Sequence, residues 1–492
     1  MKRNFVINLA FLLLLNVLIK PFWIFGVERT VQNLVGAEEF GFYFSLLNFS
    51  LLLNIILDVG ITNYNNRNIA QNSSILSKYV SNIVSLKFLL AGIYAVITLF
   101  AAFIIGYDNR QILMLLVLIF NQFLLSFVLY LRSNISGLHL FKTDSFLSVL
   151  DRLLMIIICS VLIWGNVTDE IIKIEWFIFA QTGAYLLTAF VAFIMVLSKA
   201  SFFKLKFNFK FYRVFLKQSF PYALLILLMV FYNRIDSVML ERLLPNGKEQ
   251  AGIYAQAFRI LEAASMFAYL FAVLLLPMFA RMLKKKESIE ELLKLSSLLI
   301  LVPAFILTIN CFYFNQEIMD IMYVAHVEES AIVLSFLITG FIGICMTYIF
   351  GTLLTSNGNM RQLNIMATCG MILNIVLNLI LIQKYQVVGS AVASMITQLL
   401  TAFSQIIIAK YVFKIKFNFK LILSFAVFIM FYISSTYFFK LNIDNWVYSF
   451  LISAVFGFVI AFAIGLFKIK LLFKMLKSPS EFIKDEGKIL KY

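Results

Sequence analysis

Runs of apolar residues without strand-like alternation recur along the whole chain, at 4–26, 40–60, 80–106, 111–131, 146–164, 171–197, 219–240, 252–277, 291–314, 331–356, 364–382, 388–412, 420–440 and 446–467. Most approach or exceed the roughly 20 residues a helix needs to cross hydrocarbon. In lipid, backbone polar groups must be satisfied within the segment or across a closed barrel, and these runs are too long and too uniformly apolar for barrel strands. The pattern predicts an all-α polytopic membrane protein of about 14 transmembrane helices, with little chain left for a domain outside the bilayer.

Composition narrows the class. The 492 residues are 62% hydrophobic and 13% charged, against about 25% charged in soluble domains, which excludes a cytosolic or secreted enzyme. Lys and Arg outnumber Asp and Glu by 41 to 25, a bias that suggests nucleic acid only in a soluble chain. Here the basic groups alternate between loops. Lys2 and Arg3, Arg67 and Lys78, Arg132 and Lys142, the 199–217 stretch, the 281–286 loop, Arg361, the 410–420 loop and the tail from 468 share one side. The other side holds only Arg29, Arg110, Arg242, Lys248, Lys384 and Lys440. The positive-inside rule makes the richer side cytoplasmic, with both termini inside, and the excess charge a topology signal facing anionic lipid. No nucleic-acid partner is expected. The four cysteines lie in or beside apolar runs without CxxC spacing and read as small fillers. Lys2 and Arg3 before an apolar run imitate a signal peptide, but no small-residue cleavage site follows, so a retained first helix is expected.

Seven cations remain within or at the borders of the runs: Lys20, Lys87, Arg152, Lys173, Arg234, Arg259 and Lys294. Each costs about 2.5–3.5 kcal/mol at the centre of a membrane helix, so each needs a reason. The chain also repeats itself. Glu38-Glu39-Phe40-Gly41-Phe42-Tyr43 opens the second run and Glu249-Gln250-Ala251-Gly252-Ile253-Tyr254 the eighth, and Ser133-Asn134-Ile135-Ser136-Gly137 is echoed by Thr355-Ser356-Asn357-Gly358. A six-helix repeat follows, in a 6 + 6 + 2 plan: an N-terminal lobe (1–200), a cytoplasmic basic linker (201–218), a C-terminal lobe (219–412), helices 13 and 14 (413–467) and a basic cytoplasmic tail (468–492). Six being even, both lobes share one orientation, related by an axis along the membrane normal.

Several short motifs, in this order and spacing, resemble the bacterial polysaccharide and O-antigen flippases of the multidrug/oligosaccharidyl-lipid/polysaccharide exporter superfamily. They are Gly36 to Tyr43 leading into Leu57-Asp58-Val59-Gly60, Arg234-Ile235-Asp236, and Gly252-Ile253-Tyr254 running to Leu276-Pro277. Asn374-Ile375-Val376-Leu377-Asn378 with Val388-Gly389-Ser390-Ala391-Val392-Ala393-Ser394 completes the set. The resemblance covers nearly the whole chain. It implies a V-shaped transporter in the bacterial inner membrane that moves an undecaprenyl-pyrophosphate-linked oligosaccharide (an O-antigen, capsule or exopolysaccharide unit) between leaflets by alternating access. It implies no cofactor, a monomer, and polymerase and glycosyltransferase partners. A diphosphate crossing hydrocarbon needs fixed positive charge and hydration along its path, which assigns candidate roles. Arg259, Arg234, Lys20 and Lys87 are the cavity cations; Asp236, Glu262, Asp58 and Arg67 are coupling or gating groups.

Plainer readings stand beside these. Arg259 and Glu262, three apart on one helical face, can form a structural ion pair; Arg234 and Asp236, two apart, point to different neighbours. Lys20, beside Pro21, and Lys87 can snorkel to headgroups, Asp58 can cap a helix, and Asp151-Arg152, Lys173 and Lys294 read as interfacial anchors. Asn374 and Asn378 share a face suited to interhelical hydrogen bonds. His139 and His326 lie in opposite loops, so no metal site is expected. The sequence has no P-loop, no HExxH and no nucleophile constellation, hence no ATP-driven step and no enzyme. A drug/cation antiporter of the same superfamily is the alternative, disfavoured by fourteen runs and the cation-rich interior. An O-antigen polymerase or ligase is a further one, disfavoured by short outside loops at 27–39 and 315–330.

Overall fold

The computed structural model describes residues 18–19, 21–138, 140–165, 172–415 and 419–466, and among them contains helices and no strand. In chain order the α-helices are α1 (Arg29–Leu52), α2 (Ile55–Asp58), α3 (Ile61–Gln71), α4 (Leu76–Ile105), α5 (Asn109–Gly137), α6 (Phe141–Trp164), α7 (Ile174–Leu197) and α8 (Phe209–Leu243). They continue with α9 (Gly247–Lys284), α10 (Glu290–Tyr313), α11 (Asn315–Met322), α12 (Val327–Met346), α13 (Thr352–Ser356), α14 (Met360–Phe413), α15 (Phe419–Asn442) and α16 (Trp446–Ala463).

Ten helices among the described residues are long and apolar enough to cross a membrane. One of them, α14, carries two of the predicted runs, parted at Gln386, whose backbone is left-handed at φ 50°. The two halves fold back on each other there: a Cβ on Gly389 would sit 2.1 Å from the carbonyl oxygen of Leu381. The 252–277 run lies on α9, while 4–26 falls mostly outside the described residues. The 40–60 run is discontinuous. After α1 and the single turn of α2, Val59 and Gly60 both adopt left-handed backbone (φ 43° and 79°), and the Asn-rich α3 follows where a loop was expected. The outside loop expected at 27–39 is instead mainly helix. A π-helical turn at Trp23–Glu28 runs directly into α1, and the direction changes only at Gly36 (φ 84°). The second half of the expected linker, from Phe209, already belongs to α8.

Contacts group the chain into two compact units. Unit 1 comprises Met1–Ala263, Asp320–Val333 and Met360–Thr397; unit 2 comprises Ala264–Met319, Leu334–Asn359 and Gln398–Tyr492. In unit 1, α1 packs on α8 and α5, and α5 on α3 and α7. The two echoed glycines meet in this unit: a Cβ on Gly41 would lie 1.8 Å from the Lys248 carbonyl oxygen, and one on Gly252 1.9 Å from that of Ala37. Small residues are what allow two membrane helices to cross backbone to backbone. In unit 2, α15 and α16 pack on each other and on α10, around Val302, Phe428, Tyr432 and Ala461. Asn310 of α10 fastens them: its Oδ1 accepts from Tyr432 Oη (2.8 Å) and Ser453 Oγ (2.9 Å), and its Nδ2 donates to the Phe450 carbonyl (3.2 Å).

A buried charge cluster as candidate site

Pro21 has no N–H to offer a helix, and the π-helical turn begins two residues later. Such turns re-aim side chains and recur at functional sites. The turn ends on Glu28, which is 5% exposed. Its Oε1 lies 3.2 Å from Nη2 of Arg259. Arg259 stands twelve residues into α9, about 18 Å along the helix axis. Its Nη1 donates to Glu262 Oε2 at 2.7 Å. The other oxygen of Glu262 accepts from Arg234 Nη2 at 2.9 Å, and Arg234 also donates to Asn48 Oδ1 at 3.3 Å. Arg234 lies nine residues from the end of α8, about 14 Å in.

Two guanidinium groups and two carboxylates thus meet deep in unit 1. Aromatic faces complete the surroundings: Arg259 lies over Phe44 and Arg234 over Phe258, each at 5.2 Å, positions where a cation is attracted to the ring. The cluster is closed on the Glu28 side and partly open on the other. Side-chain exposure is 6–7% for Glu28 and Arg259 but 24% for Arg234 and 27% for Glu262. Arg259 has five N–H donors, yet its Nε and Nη2 make no hydrogen bond to a described residue, nor does Glu28 Oε2 accept one.

Asp236, two residues from Arg234, faces a different set of neighbours. It is 1% exposed and accepts from Tyr254 Oη (2.8 Å), Asn374 Nδ2 (3.2 Å) and Asn378 Nδ2 (2.8 Å). Asn378 Oδ1 in turn accepts from Ser390 Oγ (2.8 Å) across the turn in α14. The two amides that read as interhelical glue therefore converge on one carboxylate. A third group forms around Lys87, eleven residues into α4. Its Nζ donates to the Leu57 carbonyl (2.8 Å), Asp58 Oδ1 (2.8 Å) and Ser126 Oγ (3.0 Å).

Of the predicted site residues, Arg259, Arg234 and Glu262 come together, Asp236 stands beside them in its own network, and Asp58 and Lys87 pair with each other. Lys87 is 1% exposed, so it does not snorkel. Lys20 and the side chain of Arg67 lie outside the described residues. Three participants were not foreseen. Glu28 was assigned to a loop, although the absence of Gly and Pro from Val27 to Val35 was a signal of continuity. Asn48 looked like any polar residue in an apolar run. Arg152 was read as an interfacial anchor. It lies eleven residues into α6, with its guanidinium 5.5 Å from the Trp23 ring and Nη1 donating to Tyr185 Oη at 3.3 Å. No grouping of metal-ligating side chains occurs among the described residues.

Ten apolar helices of spanning length and ionised residues gathered in one bundle define a multi-pass membrane protein with a candidate functional site. Residues 6–283 match the polysaccharide biosynthesis protein family model, and the chain belongs to that family. No curated protein matches the sequence. Among solved structures, the lipid II flippase MurJ in an inward closed conformation is similar with a TM-score of 0.72 at 14% identity, over 96% of this chain and 99% of that one. A multidrug-resistance MATE transporter of the MOP superfamily in its inward-facing conformation gives 0.62 at 13%, over 82% and 97%. A Vibrio cholerae MATE transporter gives 0.56 at 13%, over 83% and 98%. The shared feature is the fold.

Proposed function

We propose that the protein is a flippase for an undecaprenyl-pyrophosphate-linked oligosaccharide, moving it from the inner to the outer leaflet of the bacterial inner membrane by alternating access of the two six-helix repeats, 1–200 and 219–412. The observation that carries this reading is the Arg259–Glu262–Arg234 cluster. Two guanidinium groups share one carboxylate inside the helix bundle, and Nε of Arg259 makes no hydrogen bond among the described residues. Arginine suits phosphate because its planar donors grip oxygen pairs. Glu28 and Glu262 balance Arg259 and Arg234, so these four side chains together carry no net charge. An arriving diphosphate displaces Glu262 and takes over its hydrogen bonds, which keeps the arginines paired at every stage. Asp236, separate from the cation cluster, serves as the coupling carboxylate. No covalent step is required, and glycosyltransferases and a polymerase act before and after transport. Membership of a polysaccharide biosynthesis family supports a glycan cargo over a drug.

Removing Arg259 alone would strand Glu28, so the test uses Glu28→Gln with Arg259→Gln. This double variant is expected to reach the membrane at normal level yet accumulate lipid-linked oligosaccharide on the inner leaflet, while Arg259→Lys retains part of the export. Normal surface glycan in the double variant would remove the cluster from the substrate path.

A further inference from the structure

We infer that unit 1 carries a second anion site, remote from the buried cluster and built to hold an anionic phospholipid of the surrounding bilayer. Its assignment to the cytoplasmic leaflet rests on the sidedness given by the basic loops.

Between α7 and α8 the chain runs extended along the first turns of α4. The Ser201 amide donates to Ser77 Oγ (2.9 Å), the Lys204 amide to Ser81 Oγ (3.2 Å) and the Lys206 amide to the Ser81 carbonyl (3.1 Å). The Lys206 carbonyl accepts from Ser85 Oγ (2.5 Å) and Tyr212 Oη (3.1 Å). This anchored strap and α4 border an open groove of about 660 Å³ lined by Lys78, Lys206 and Lys210 together with Asn82 and Asn208. No Asp or Glu occurs in 59–107 or 199–217, and the three lysines have no carboxylate partner among the described residues.

Amines gathered without a counter-ion call for an anion. The rings beside them say which kind. Phe202, Phe207 and Phe209 border the same groove and are 53%, 68% and 71% exposed. A free phosphate would use only the amines; a phospholipid uses both, with its headgroup on the lysines and its acyl chains along the rings. Clustered lysines at the cytoplasmic surface attract anionic lipid in this way. The motif also recurs. Residues 203–210 read Phe-Lys-Leu-Lys-Phe-Asn-Phe-Lys and residues 413–420 Phe-Lys-Ile-Lys-Phe-Asn-Phe-Lys, the first after the sixth predicted run and the second after the twelfth. A linker that had only to be basic would not keep this order of rings and amines twice.

The test is native mass spectrometry of the detergent-purified full chain with phosphatidylglycerol or phosphatidylcholine. One phosphatidylglycerol is expected to be retained in preference. Its affinity should fall on the order of a hundredfold in Lys78→Gln/Lys206→Gln/Lys210→Gln, from the usual contribution of each surface lysine. It should survive in the matching Lys→Arg triple variant, which controls for folding, and in Lys284→Gln/Lys285→Gln/Lys286→Gln, which removes equal charge elsewhere. Unchanged binding in the first variant, or an equal loss in the last, overturns the proposal. So does displacement by inorganic pyrophosphate, which makes it a simple anion site, or by equimolar undecaprenyl pyrophosphate, which makes it a substrate site. Binding is read without transport, so the proposal and the flippase reading fail separately.

Discussion

Lys87 and Arg259 are both cations buried in unit 1, and they are satisfied to different degrees. The ammonium of Lys87 has three donors and three acceptors, within 2.8–3.0 Å. It ties α4 to the Leu57-Asp58 turn, next to the left-handed Val59–Gly60 break, and to α5. Asp58 is also held locally, by Thr62 Oγ1 at 2.5 Å. Nothing is left over for a ligand. Arg259, by contrast, keeps Nε without a hydrogen bond among the described residues, holds Nη2 only in an ion pair with Glu28 at 3.2 Å, and shares Glu262 with Arg234. A saturated cation fixes a fold, whereas one with spare donors can change partners. Lys87, expected from the sequence among the cavity cations, has its three donors taken up at the break in the second run.

The largest expected effect tests that distinction. Lys87→Ala leaves Asp58 partly buried without its cation and should cost about 3–5 kcal/mol, seen as loss of folded protein in a thermal-unfolding assay; Lys87→Ala with Asp58→Ala should recover much of it. If the single variant is stable but fails to export, Lys87 belongs with the substrate after all. Next, Asp236→Asn keeps the shape of the side chain but turns one acceptor oxygen into a donor aimed at existing donors. A loss of about 1–3 kcal/mol is expected from the broken network, and transport into liposomes should stop responding to an ion gradient. An unaltered gradient response would exclude Asp236 from coupling. The smallest effect on stability is expected for Arg234→Gln. Its side chain is 24% exposed and Glu262 keeps Arg259, so unfolding should shift within about 1 kcal/mol. Export should nevertheless fall about tenfold, the loss of one charge-assisted contact. Equal losses of stability in Lys87→Ala and Arg234→Gln would erase the contrast.

The helical class was legible in the apolar runs because hydrocarbon leaves the backbone few alternatives. The Arg259–Glu262 pair was legible because spacing on one helix fixes who can meet whom. What escaped was long-range or conformational. Glu28 reaches the cluster only because the first helix continues through a π-turn to Val35, and charge had suggested a loop there. Asn48 contributes by meeting Arg234, 186 residues away, and no local pattern records such a meeting. The discontinuity at Val59–Gly60 depends on left-handed backbone at a valine, a conformation that valine alone does not announce.

The Asn310 clamp bears on how this chain tolerates shortening. One amide holds Tyr432 and Ser453, so α15 and α16 are riveted to α10 from within. Ending the chain after residue 413 would not yield a leaner transporter. It would face a buried amide toward acyl chains that offer it nothing, and the clipped protein should be cleared by proteases before its export could be assayed.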